Sequence, residues 1–304
     1  MTDDPDTAVR MAAFEHVRRL NAMYGHVTSE DLRRGFRFGG DRIPLVNPQQ
    51  GIFKPQRMRF LLSIRTVIGR KIKYPDQLVA HGQILSNDGS VDYSFMGTNP
   101  QAAQNRWLRE AFENQIPVIY FLGFAPKLYQ AIIPTYISGW NEKALNAQIV
   151  FGNDDVERPV APPDSGARHY ALRTVRQRLH QASFREAVIS AYNGRCALSG
   201  LPEQRLLDAA HIVSDKDEKF GQPIIQNGLP LSKIHHAAFD AHLIGIDPDY
   251  RLHVSERLLM QHDGPMLEVL KQLDGGRIHL PLNGRHNPDR DRLALRFEQY
   301  RKAA

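Results

Sequence analysis

Between Leu206 and Asp240 the chain reads LLDAAHIVSDKDEKFGQPIIQNGLPLSKIHHAAFD. This stretch gathers three of the thirteen histidines, an asparagine beside a glycine, and several carboxylates. Imidazole titrates near neutrality and can take a proton from water. Imidazole with carboxylate suits a divalent cation such as Mg²⁺, Mn²⁺ or Ni²⁺. A carboxamide can hold a base or a loop through both its donor and its acceptor. Hydrolysis of a phosphodiester needs these parts: a base for water, a cation for the charge that builds on phosphate and leaving oxygen, and a group that fixes the base's tautomer.

The elements that must position these groups can be read locally. LLDAAHI has the pattern of a strand, whose alternation puts Asp208 and Ala210 on one face and His211 on the other. NGL at 227–229 reads as a turn leading into a helix of about 231–241. On that helix His236 and Asp240 are four apart and share a face, whereas His235 points about a quarter-turn away. Strand, loop and helix together bring Asp208, His211, Asn227, His236 and Asp240 within reach of one another. LIGIDPDYRLHVS then reads as a hairpin with DPD at its turn.

These segments resemble the HNH nuclease family, in which a two-stranded hairpin packs on a helix around one metal. DAAHI, NGLPL, HAAFD and LIGID follow in the order of one branch of that family, and RLHQASFREAVISAYNGRCALSGL looks like its lead-in. The resemblance covers about 168–260. It implies His211 as general base, Asn227 at the family's middle position, and His236 as a metal ligand. Many members place a second ligand immediately before the base. Here that residue is Ala210, so the second ligand is expected from Asp208, with Asp240 as its rival. One divalent metal per site is implied. Where other members start a zinc-binding CxxC this chain has CALSG, so no structural zinc is expected and Cys196 reads as a core residue. His235 and His242 are left outside the chemistry.

The rest of the chain sets the context. Its 304 residues suit about two domains, and 42% apolar with 24% charged residues is a globular composition. A net charge of +6 suits a polyanionic partner such as DNA. One cysteine excludes an intrachain disulfide. The first residues carry acids and no apolar stretch, so no signal peptide and no membrane span are expected, and a prokaryotic cytoplasmic location follows. Residues 153–167 are proline-rich and read as a linker between domains at 1–152 and 168–304. A helix beyond it carries arginines at 168, 173, 176, 178 and 185, of which Arg176 and Arg178 are candidate phosphate contacts.

The first domain opens with a helix near 7–24, and Thr28 with Asp31 forms the signature of a capped second helix. RFLLSIRTV, QLVAHGQIL, VDYSFMG, PVIYFLGF, YQAIIPTYI and AQIVFG read as strands, interrupted by a helix at about 99–115. The expected class is α+β, a curved sheet or small β-barrel followed by the nuclease domain. The order of these elements looks like the amino-terminal region of restriction enzymes that end in an HNH domain, regions similar to SRA and other PUA-like barrels. That resemblance implies a pocket for a flipped, modified cytosine. The aromatic and acidic candidates for it are Asp92, Tyr93, Phe95, Phe53 and Tyr120, with Lys54, Arg57, Arg59 and Arg65 toward phosphate.

Together these expectations describe a modification-dependent restriction endonuclease. It would act on double-stranded DNA carrying 5-methylcytosine or 5-hydroxymethylcytosine, as a homodimer for double-strand cleavage. The alternatives are an HNH enzyme for unmodified DNA and a DNA-binding protein with an inactive nuclease fold.

Overall fold

The computed structural model describes residues 6–67, 90–152, 161–262 and 264–303. The expected strand QLVAHGQIL and the first half of the expected linker lie outside these. Two compact units divide between Ala182 and Ser183.

The first unit contains α1 (Thr7–Tyr24), β1 (Val27–Thr28), α2 (Ser29–Arg34), β2 (Phe36–Phe38), β3 (Asp41–Ile43), β4 (Ile52–Phe53), β5 (Ser63–Thr66), β6 (Ser90–Ser94), α3 (Ala103–Glu113), β7 (Val118–Ala125), β8 (Leu128–Asn141) and β9 (Asn146–Phe151). The start of α4 (Ser165–Ala191) also falls within it. Strands pair in the order β4-β5-β7-β8-β9-β6, with β1 on β8. Among the described residues only β5 and β7 run parallel; the other pairs of this sheet are antiparallel. The result is a mixed α+β unit around one large sheet.

Alternation along the central strands gives this sheet two buried faces. Val118, Tyr120 and Leu122 of β7 face a core shared with Leu108 and Ala111 of α3 and with Leu172, Val175 and Leu179 of α4. Ile119 and Phe121 face the opposite core, shared with Val9, Ala13, Phe14 and Val17 of α1. The expected first helix is α1. The expected cap is also present: Thr28 Oγ1 accepts from the Asp31 N–H, and the Asp31 carboxylate accepts from the Thr28 N–H.

The second unit holds the remainder of α4, β10 (Leu207–His211), β11 (Gly228–Ser232), α5 (Lys233–Asp240), β12 (Ile244–Ile246), β13 (Leu252–Val254), α6 (Glu256–Leu259), α7 (Pro265–Lys271) and α8 (Arg290–Ala303). Its core joins Ile189 of α4 and Tyr192 just beyond it, Leu207 and Ala210 of β10, Leu229 and Leu231 of β11, Phe239 of α5, and Leu293 of α8. The hairpin read in LIGIDPDYRLHVS is β12 paired with β13. No helix among the described residues is long and apolar enough to cross a membrane.

One local reading is corrected. Residues 228–232 form a strand rather than a turn entering a helix. Pro230 is tolerated there because of its place in the ladder. Ile212 donates to the Asn227 carbonyl, and His211 pairs with Gly228, Ala210 with Leu229 and Ala209 with Pro230. Alternation then puts Pro230 at a position facing away from β10, where its missing N–H costs nothing. Its carbonyl accepts from the Ala197 N–H at 2.7 Å, on that outward side.

Candidate metal and base site

Strands β10 and β11 lie antiparallel over five residue pairs, and Ser232 caps α5 by accepting from the His235 N–H. The cap makes the chain turn from strand into helix within one residue. His236 therefore sits on the first turns of α5, close to the start of β10. Its Nδ1 is 3.7 Å from an Asp208 carboxylate oxygen, and its Nε2 is 3.3 Å from an Asp240 oxygen. The imidazole thus stands between two carboxylates, one on each ring nitrogen. These carboxylates hold the His236 pKa above the ordinary imidazole value, Asp208 contributing most, against the opposing effect of burial. Asp208 is held below the usual carboxylate range, chiefly by His236.

His211 has the opposite environment. Burial lowers its pKa, and the charges of Asp215 and Asp240 only partly oppose this. His236 and Asp240 are near enough to His211 to shift its titration, so base and candidate ligands share one electrostatic site. The His211 ring stacks on Phe184 of α4, with centroids 4.2 Å apart and planes at 16°. Its Nε2 is buried and has no hydrogen-bond partner among the described residues. Burial along β10 does not follow simple alternation. Leu207 and Ala210 are buried, while Asp208, Ala209 and His211 are part-exposed, so Asp208 and Ala210 differ in environment although they share a face by count.

Asn227 is fully buried and works as a clamp on the loop. Its Oδ1 accepts from the Val213 N–H at 2.9 Å, while Nδ2 donates to the Val213 carbonyl at 3.0 Å and the Gln222 carbonyl at 3.1 Å. All three bonds tie the segment after His211 to the start of β11. No hydrogen bond joins the Asn227 amide to the His211 imidazole among the described residues.

Three further neighbours complete the surroundings. Arg296 of α8 donates to the Phe239 carbonyl at 2.9 Å and reaches Asp240 at 3.5 Å. Arg185 donates to the Gln204 carbonyl at 3.0 Å and the Leu207 carbonyl at 2.7 Å, anchoring the start of β10 rather than presenting its charge outward. His235 faces inward, with Nδ1 3.3 Å from the buried Cys196 Sγ, which also accepts from the Ser232 N–H. Burial would raise the Cys196 pKa, but His235, Ser199 and Ser232 bring it down to about 6. By sequence Arg185 reads only as one of a run of arginines and His235 only as turned away from the His236 face; Arg296 carries no local signal, because it reaches the site through long-range packing.

Among the described residues, no three His, Cys, Asp or Glu side chains converge as a closed metal cage. The arrangement around His236 still fits a catalytic cation. One imidazole and one carboxylate supply nitrogen and oxygen donors and leave coordination positions open for water and phosphate.

In the first unit, Tyr93, Phe95 and Tyr120 belong to the core. The Tyr93 hydroxyl donates to the Gly51 carbonyl at 3.1 Å and the Arg65 carbonyl at 3.2 Å, and the Tyr120 hydroxyl pairs with Thr66 at 2.8 Å. Phe95 lies 4.2 Å from the Trp140 ring. Asp92 is exposed and Phe53 half-buried. Lys54 lies over the Trp107 ring, Arg57 pairs with Asp41 at 3.1 Å, and exposed Arg59 lies over Phe60. Arg65 donates to the Asn47, Pro48 and Gln50 carbonyls. Arg176 is half-buried and Arg178 exposed.

Residues 196–247 match the family model of HNH endonucleases, so the second unit carries an HNH endonuclease domain. A solved structure described as a modification-dependent TagI restriction endonuclease aligns over 83% of this chain and 86% of its own, at 15% identity and a TM-score of 0.34. No curated protein matches the chain.

The clamp generates a stability prediction. Asn227→Ala strands a buried amide and removes the donor to two carbonyls, and each such buried group costs about 1–3 kcal/mol. A loss of roughly 3 kcal/mol in denaturant unfolding is expected, with proteolytic cleavage appearing first within residues 213–226.

Proposed function

We propose that this chain, through its HNH endonuclease domain, hydrolyses phosphodiester bonds in double-stranded DNA, with His211 as general base and His236 as metal ligand. The observation that carries the proposal is the ββα arrangement within the matched residues. It sets a neutral, partly buried imidazole beside a second imidazole flanked by carboxylates.

His211 takes a proton from water, and the water oxygen attacks phosphorus. The bond to the leaving 3′ oxygen breaks, and that oxygen is protonated from solvent. The divalent cation (Mg²⁺, Mn²⁺ or Ni²⁺) supplies charge neutralisation at the phosphate when bound. His236, by its Asp208-facing side, and Asp208 would hold it. Asp240, nearer and on the opposite ring nitrogen, fixes the imidazole, and Arg296 in turn steadies Asp240. A single ring nitrogen can serve the cation, so only one carboxylate shares it and the other orients the ring. Asn227 acts at one remove, by holding the loop after the base.

The first unit is proposed to read a modified cytosine, 5-methylcytosine or 5-hydroxymethylcytosine, in an SRA- or PUA-like manner by base flipping. The sequence resemblance of its strand order supports this reading. Asp92, Tyr93, Phe95, Phe53 and Tyr120 are the proposed pocket residues. Lys54, Arg57, Arg59, Arg176 and Arg178 are the proposed phosphate contacts. Two copies of the chain would act together for double-strand cleavage, because one HNH site cuts one strand.

Cleavage of one duplex made unmodified, with 5-methylcytosine and with 5-hydroxymethylcytosine tests both halves. Cutting confined to a modified duplex is expected. Equal cutting of all three removes the base-sensing role and leaves a nuclease for unmodified DNA, while no cutting with any of the three metals favours a binding-only protein.

His211→Ala is expected to lower the cleavage rate about 10²–10⁴-fold with DNA binding retained. The base works only when neutral. Because burial lowers its pKa, the loss of rate that belongs to His211, followed at saturating metal, should be centred below the ordinary imidazole value of 6.5.

Calorimetric titration of Mn²⁺ separates the two carboxylates. Asp208→Asn should abolish detectable binding. Asp240→Asn should weaken it by about 10–100-fold, as loss of an orienting partner does. The reverse order would reassign the ligand.

A further inference from the structure

His211 lacks the support that a general base ordinarily has. Its Nε2 is buried with no hydrogen-bond partner among the described residues, and the nearby carboxamide of Asn227 is committed to Val213 and Gln222. The ring nevertheless occupies a defined plane. It lies nearly parallel to the buried Phe184 ring, 16° apart at 4.2 Å between centroids. Such offset packing of planar rings restricts both tilt and rotation of the imidazole.

The opposite strand is shaped for the same ring. Gly228 is the cross-strand partner of His211. Its backbone is extended, φ −130° and ψ 144°, so no left-handed turn demands a glycine. A Cβ there would lie 2.3 Å from Val188 Cγ2 and 2.8 Å from Phe184 Cζ. The glycine is therefore required by the close approach of α4, not by a turn. Phe184 occupies the space left open across from the base and reaches its ring from there.

We propose that Phe184, seated against Gly228, is the positioning residue for His211, setting the plane of the general base by ring stacking where no hydrogen bond to its buried nitrogen does so. The proposal rests on the assignment of His211 as base. Phe184 touches neither water nor phosphate and acts only through the imidazole.

Two measurements test it. The first uses the wild-type chain without substrate. The His211 ring protons, assigned by their loss in His211→Gln, should be shifted upfield by the Phe184 ring current and return toward ordinary imidazole positions in Phe184→Leu. Unshifted His211 protons in the wild type would overturn the proposal, whatever the cleavage assays show.

The second is a kinetic cycle under saturating metal and DNA. Phe184→Leu keeps an apolar side chain of similar bulk but removes the planar face. It should lower kcat roughly 10–100-fold, since small misplacements of a reacting group have effects of that order. KM and DNA binding should be unchanged. In a His211→Ala background the same substitution should change the residual rate by less than about twofold, because residues acting as a unit are not additive. A wild-type kcat in Phe184→Leu, or the same fold-loss in both backgrounds, would mean that Phe184 only packs. A wild type that cuts no duplex defeats the nuclease reading, and the ring-current measurement then still decides the stack.

Discussion

The short ladder between β10 and β11 is the constraint on which the site depends. Its five pairs fix where Asp208 and His211 stand relative to the start of α5, and thus how far each lies from His236. Strand pairing has a period of two, so a slip of one residue would send His211 to the other face. Pairs this short are not stable alone. The ladder is held from outside: Arg185 grips the carbonyls at its entrance, Asn227 closes its far end, and Pro230 uses its outward carbonyl to bind Ala197. The polar groups around the site mostly serve this framework.

Within it, two imidazoles of identical intrinsic chemistry are driven apart. His236 sits between two carboxylates and holds a proton more strongly than a free imidazole. His211 lies against a phenyl ring with one nitrogen sealed, and it stays neutral to lower pH. Environment alone moves the two titrations in opposite directions, as is general where titratable groups of one type are set to different tasks.

Much of this was legible in the sequence, and the parts that were not share a cause. The helix at Thr7–Tyr24, the Thr28–Asp31 cap, the hairpin around Asp247 and the strand ending at His211 all have local signals: periodicity, capping residues, turn residues. His236 and Asp240 met as their spacing required. The reading failed where a local signal and a long-range one use the same residues. Asn-Gly-Leu looks like a turn, but here the asparagine closes a loop, the glycine admits a helix, and Pro230 just beyond sits at a ladder position that needs no N–H. Phe184 belonged to a helix whose arginines drew attention, and nothing local marks an aromatic residue that will meet a histidine 27 positions later.

The aromatic strand residues of the first unit show the same competition with the opposite balance. A base taken into a pocket must find free ring faces and free polar edges. Tyr93 and Tyr120 have their hydroxyls bound to Gly51, Arg65 and Thr66, and their rings pack edge-to-face at 6.1 Å, with Tyr120 also stacked on Phe151. Opening a pocket between them would break those bonds and uncover core, at a cost the incoming base would have to repay. Asp92 and Phe53 carry no such burden, being exposed and half-buried on the two edge strands of the sheet. The proposed base pocket would therefore be less costly to open from these edge positions, with the buried tyrosines as the wall behind them.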